Sequence, residues 1–127
     1  FSYLEKVADF LREVTTAAGL DDRASYSVQM AVDEAVTNVI EHAYKGRHDG
    51  RIEILAERRG RDLAVEILDF GKPFDASHIR DPRVKGPLSR RAVGGLGIFF
   101  MKKLMDKVEF SSNADYGNRV LMTKRIR

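Results

Sequence analysis

Glu34 and Asn38 stand four residues apart in the run AVDEAVTNVIEHAY, Ala31 to Tyr44. On a helix, positions i and i+4 share one face, with Cβ atoms about 6 Å apart. An unpaired buried carboxylate is costly, so this pair is not ordinary core. The amide oxygen of Asn38 is a ligand of the kind Mg²⁺ takes. Glu34, one turn away, is placed to accept a proton from an attacking hydroxyl or water. Downstream stand Asp69-Phe70-Gly71-Lys72-Pro73 and Gly94-Gly95-Leu96-Gly97. A carboxylate at a strand end can accept a hydrogen bond from an exocyclic amine such as that of adenine. Gly71, lacking a side chain, lets a flat base approach the backbone. The later glycines let backbone N–H groups converge on an anion at a helix N-terminus. Lys85, Arg90 and Arg91, just before them, have the reach to meet phosphate oxygens.

Taken singly, each piece has a plainer reading. Glu34 and Asn38 would suit a solvated helix face, Asp69 to Pro73 an ordinary turn, and the glycines a hinge. Their order and spacing together describe a pocket for a nucleoside triphosphate and its metal. Other site chemistries find little footing. The three histidines (His42, His48 and His78) show no metal-type pairing. Neither a G-x-x-x-x-G-K-[ST] loop nor a G-x-G-x-x-G turn opening a βαβ unit is present.

The 127 residues suffice for one domain with a real core. Basic residues number 22 against 19 acidic, which reads as a mixed solvated surface rather than a nucleic-acid footprint. No apolar run approaches the roughly 20 residues that cross a bilayer, and no signal peptide is visible. Cysteine is absent, which excludes disulfides and thiolate metal sites and fits a reducing cytoplasm.

The elements that must position these groups follow from periodicity. Ser2-x-x-Glu5 reads as a capping box, and Leu4, Val7, Leu11 and Val14 recur at helical spacing up to Gly19. Asp21 or Asp22 caps a second helix through about Tyr44, with Val28, Val32, Ala35, Val39 and Ala43 inward and Gly46 as its stop. Alternating runs on either side of Arg59-Gly60-Arg61-Asp62 predict a hairpin. From Asp69 to about Gly97 no period holds, and all three prolines fall there, as expected of a functional loop. Ile98 to about Asp106 reads as a helix. Val108–Ser112 and Arg119–Lys124 read as closing strands around Gly117-Asn118. The sum predicts an α+β fold, a two-layer sandwich whose mixed, mostly antiparallel sheet is covered on one face by helices.

With these three boxes in this order, the chain resembles the Bergerat-fold (GHKL-type) ATPases, which include DNA gyrase, the MutL repair proteins, histidine kinases and a major heat-shock chaperone. DEAVTNVIEHAY and VGGLGIFFMKKLMDKVEF are most similar to the corresponding boxes of the bacterial anti-sigma-factor serine kinases, and the likeness runs from Ser2 to Lys124. The resemblance implies a single ATP-binding domain over residues 1–127, with a mobile lid at about 74–96. It implies Glu34 as general base and Asn38 as Mg²⁺ ligand. Asp69 becomes the adenine-reading carboxylate with Gly71 beside it, Gly95 and Gly97 the phosphate-binding glycines, and Thr123 a threonine that helps hold adenine through water. Arg91, with Arg90, is nearest to the arginine expected at the γ-phosphate. One departure is Gly117-Asn118 where the family often has Gly-Thr; another is the family's usual first strand, missing before the first helix.

The function so implied is that of a cytoplasmic Mg²⁺–ATP-dependent serine protein kinase and anti-sigma factor in a partner-switching circuit. Its substrate would be an anti-anti-sigma antagonist and its other partner a sigma factor, with a homodimer possible and no direct contact with nucleic acid or membrane. Two alternatives stay open: an ATP-binding regulatory module without catalysis, and the ATPase domain of a larger bacterial sensor.

Overall fold

A computed structural model of the chain describes residues 2–44, 50–71, 95–113, 115 and 117–127. Of the lid expected at about 74–96, residues 74–94, with Lys85, Arg90 and Arg91, lie outside the described residues, as does the helix stop expected at Gly46.

Helix α1 spans Ser2–Ala18 and α2 spans Asp22–Asn38. Asp21 caps α2, its side chain accepting the Ala24 N–H at 2.8 Å. Beyond Asn38 the chain continues as a π-helical turn, Val39–Ala43, closed by the Tyr44 N–H donating to the Val39 carbonyl. Such wide turns occur mostly singly, and often beside functional residues. The hairpin forms as expected from β1 (Ile52–Arg59) and β2 (Asp62–Asp69). Helix α3 spans Gly95–Leu104, β3 Lys107–Asn113 and β4 Gly117–Arg125. Sequence periodicity placed the start of α3 at Ile98. The helix begins three residues earlier, so Gly95 and Gly97 lie inside its first turn.

The sheet runs β1-β2-β4-β3 with every described pairing antiparallel. Strand alternation divides its faces. Leu63, Val65, Ile67 and Asp69 of β2, together with Met122 and Asn118 of β4, look toward the helices and are buried. Val7 and Leu11 of α1, Val28, Val32, Ala35 and Val36 of α2, and Ile98 and Met101 of α3 close over them. That dry layer fixes the helices against the sheet. On the other face Glu66 receives Arg119 at 2.9 Å and Arg59 at 3.1 Å, which holds its carboxyl below the usual carboxylate range, with the Arg119 hydrogen bond the larger cause.

Candidate nucleotide site

The stripe that buries α2 leaves Glu34 and Asn38 half-buried on the adjoining face, toward α3. Gly97 shows how close that approach is. A Cβ at position 97 would lie 2.4 Å from Glu34 Oε2 and 3.7 Å from Asn38 Nδ2, so only a residue without a side chain fits there unless Glu34 moves. The first four N–H groups of any helix lack an acceptor within it, and the dipole adds partial positive charge at that end. The carboxylate, the amide and the start of α3 therefore meet at one place.

Burial pushes the Glu34 carboxyl above its ordinary range, and the charges of Asp33 and Glu41 push the same way. A carboxylate so tuned is a better proton acceptor near neutral pH than an exposed one. Asn38 Nδ2 is buried and has no hydrogen-bond partner among the described residues. Native interiors rarely leave such a group orphaned. A phosphate oxygen would satisfy this donor, and the same amide carries Oδ1, an oxygen of the kind Mg²⁺ takes. Among the described residues no group of three or more His, Asp or Glu could chelate a metal alone. A cation bound chiefly by phosphate and water needs no such cage. The residues thus fit ATP and Mg²⁺.

Asp69 ends β2 and is 3% exposed. Its Oδ1 accepts the Gly71 N–H at 3.0 Å and Asn118 Nδ2 at 2.8 Å. Oδ2 has no partner among the described residues. The carboxylate is thus fixed at the sheet margin with one oxygen available. Tyr44 ties this corner to the helix. Its hydroxyl donates to the Arg51 carbonyl at 2.5 Å and accepts the Phe70 N–H at 3.0 Å. Tyr44 closes the helical segment that carries Asn38, so the C-terminal end of that segment is tied to the chain leaving Asp69.

Thr123 is not part of this corner. In the β2–β4 register it faces Ala64, whereas Asn118 faces Asp69. An offset of five residues also turns its side chain to the sheet face away from the helices. The β4 residue that meets Asp69 is Asn118, not the Thr123 that the resemblance implies. Sequence reasoning noted Gly117-Asn118 only as a departure from Gly-Thr and overlooked Tyr44. The first was visible as the residue pair opening the last strand, the second as the end of EHAY.

Comparison with known proteins identifies the family and the fold. The family described as the histidine kinase-like ATPase domain matches residues 2–124. A serine-protein kinase RsbW of Listeria innocua is 34% identical over 120 residues, covering 91% of this chain and 75% of its own length. One of the same name from Bacillus pumilus is 33% identical over 123 residues, covering 86% and 74%. Among solved structures, the nucleotide-free catalytic domain of the histidine kinase ThkA superposes with a TM-score of 0.61 at 14% identity, covering 96% of this chain and 90% of that one, a likeness of fold.

Proposed function

The chain belongs to the histidine kinase-like ATPase domain family, and on that premise we propose that it is a Mg²⁺–ATP-dependent serine protein kinase of a partner-switching circuit. Its substrate is an anti-anti-sigma antagonist and its second partner a sigma factor. The carrying observation is the convergence of Glu34, Asn38 and Gly97 within one van der Waals shell. The serine-protein kinase relatives support the choice of protein hydroxyl as acceptor.

In this reading Asp69 accepts the exocyclic amine of adenine, with Gly71 beneath the base. Gly95, Gly97 and the first turn of α3 receive the phosphates. Asn38 would hold Mg²⁺ through Oδ1, and the cation so held would supply neutralisation of phosphate charge. Glu34 accepts the proton of the attacking serine hydroxyl, and its pKa, raised chiefly by burial, makes it a stronger base than an exposed carboxylate. In the same reading the lid falls at about 74–96 and carries Arg91, the arginine that would meet the γ-phosphate. Most of the acceleration comes from positioning and charge stabilisation. No helix among the described residues is long and apolar enough to cross a membrane.

The test is incubation of the chain with γ-labelled ATP and a purified anti-anti-sigma protein. Label should reach a serine of that protein, and Glu34→Ala should abolish transfer while retaining ATP binding. ATP binding without transfer by the unaltered chain would make it a regulatory binding module instead.

A further inference from the structure

Asn118 does more than close the last hairpin. It lies opposite Asp69 in the β2–β4 register and opposite Ser112 in the β3–β4 register. All three side chains point to the helix face at one end of the sheet. Both amide protons of Asn118 are used, one on Asp69 Oδ1 at 2.8 Å and one on the Gly71 carbonyl at 3.0 Å. Its carbonyl oxygen accepts the Ser112 hydroxyl at 2.8 Å. An amide with both ends engaged has one orientation and cannot flip without losing bonds at each end. Gly117, at φ +79°, makes this approach possible. A Cβ there would stand 2.4 Å from the Asp69 carbonyl oxygen and 2.8 Å from the Phe70 ring. Glycine takes that conformation at little cost, and any other residue would push β4 away from Asp69.

The consequence falls on Asp69. Two donors, the Gly71 N–H and Asn118 Nδ2, are spent on Oδ1. The carboxylate is 3% exposed and therefore has little freedom to rotate. Oδ2 is the oxygen left for a ligand donor. Asn118 also grips the carbonyl of Gly71, so the aspartate and the backbone beside it are held as one unit.

We propose that Asn118, buttressed by Ser112, is a positioning residue that sets the base specificity of this site by locking Asp69 with Oδ2 turned toward the exocyclic amine of adenine. The proposal rests on the nucleotide reading above and adds which residue enforces selectivity. A neutral strand residue thereby decides how well a neighbouring carboxylate distinguishes an amino-purine from a purine lacking that group. Sites built around a hydrogen bond to a substrate N–H reject analogues that lack it, because the buried acceptor is left unpaired.

The experiment is calorimetric titration of the full chain with Mg²⁺–ATP and with the Mg²⁺ complex of purine riboside triphosphate, which differs from ATP by loss of the 6-amino group. The unaltered chain should prefer ATP by about tenfold or more, as a hydrogen bond to a charged acceptor implies. Asn118→Ala should bring the preference to within about twofold, through weaker ATP binding, while analogue affinity stays nearly constant. Ser112→Ala, which leaves both Asn118 donors in place, should lose part of the preference, about threefold, and serves where Asn118→Ala fails to fold. An unchanged preference in both variants overturns the proposal, as does an equal fall for both nucleotides, the mark of a merely structural role. If the unaltered chain binds ATP without preferring it over the analogue, Asp69 does not read the amine and the proposal also fails. Binding of neither nucleotide by the unaltered chain would instead remove the pocket reading itself.

Discussion

Gly97 stands against Glu34 so closely that a single methyl group at residue 97 would come within 2.4 Å of the carboxylate oxygen Oε2. The obstructed atom is the far end of a flexible side chain, so the protein can yield by moving Glu34. Gly97→Ala should therefore fold normally, with an equal or higher melting temperature, because alanine favours the helix over glycine by up to about 1 kcal/mol. Its phosphoryl transfer should nevertheless fall about a hundredfold, the scale expected when a catalytic group shifts by about 1 Å. Thermal melting beside single-turnover transfer separates the two effects. Equal losses of stability and activity would mean that Gly97 is only a packing residue.

Glu34 carries a pH signature. Its folded-state pKa is raised, by burial first and then by Asp33 and Glu41. The protonated form is therefore favoured in the fold, and stability falls as pH rises from the ordinary carboxylate value of 4.5 through the raised one. Glu34→Gln should be more stable than the unaltered chain near neutral pH and lose that advantage in acid, as denaturant midpoints across pH would show. Asp33→Asn removes one source of the upward shift, so the acid limb of the transfer rate should move to lower pH. A limb that does not move would assign it to another group.

Glu66 gives the opposite sign on the open face of the sheet. Arg119, at 2.9 Å, and Arg59 hold its pKa down. Its stabilising contribution is present above 4.5 and is lost as pH falls through the lowered folded value. Glu66→Gln should cost about 1 kcal/mol at neutral pH, a modest figure because both arginines are partly in solvent. Urea titrations at neutral pH and in acid should show the difference shrinking toward the acid end, with ATP affinity unaffected.

Tyr44 joins the π-helical turn to both strand ends through the Arg51 carbonyl and the Phe70 N–H. Tyr44→Phe removes both bonds and should cost about 1–2 kcal/mol. It should also loosen the backbone beside Asp69, so ATP affinity should drop while the intrinsic transfer step, measured at saturating ATP, changes little. Denaturant midpoints and binding titrations check the two parts.

Much of this arrangement was legible because short-range rules governed it. The apolar stripe of α2 turns Glu34 and Asn38 to a common face, and alternation in β2 puts Asp69 on the same side as Ile67 and Val65. Periodicity starts α3 at Ile98 and leaves the glycines before it, whereas the helix opens at Gly95. Packing of α3 against α2, with Gly97 close to Glu34, overrides the low helix propensity of the glycines, and periodicity cannot detect that. Thr123 was misassigned for a related reason. Which residue of β4 meets Asp69 is a question of register, and register is set by the pairing of strands nearly fifty residues apart. Once Asp69 faces Asn118, parity alone sends Thr123 to the far face.

The central claim is that one magnesium-bound adenine nucleotide sits where α2, the β2–β4 margin and the start of α3 meet. The most direct measurement is a Mg²⁺–ATP titration of the isotopically labelled chain, followed by amide chemical shifts. The account predicts saturable changes concentrated at Asn38, Gly71, Gly97 and Asn118, with Thr123 and Leu55 unmoved. Saturable binding with shifts centred on the open sheet face, or no binding at millimolar ATP, would contradict it.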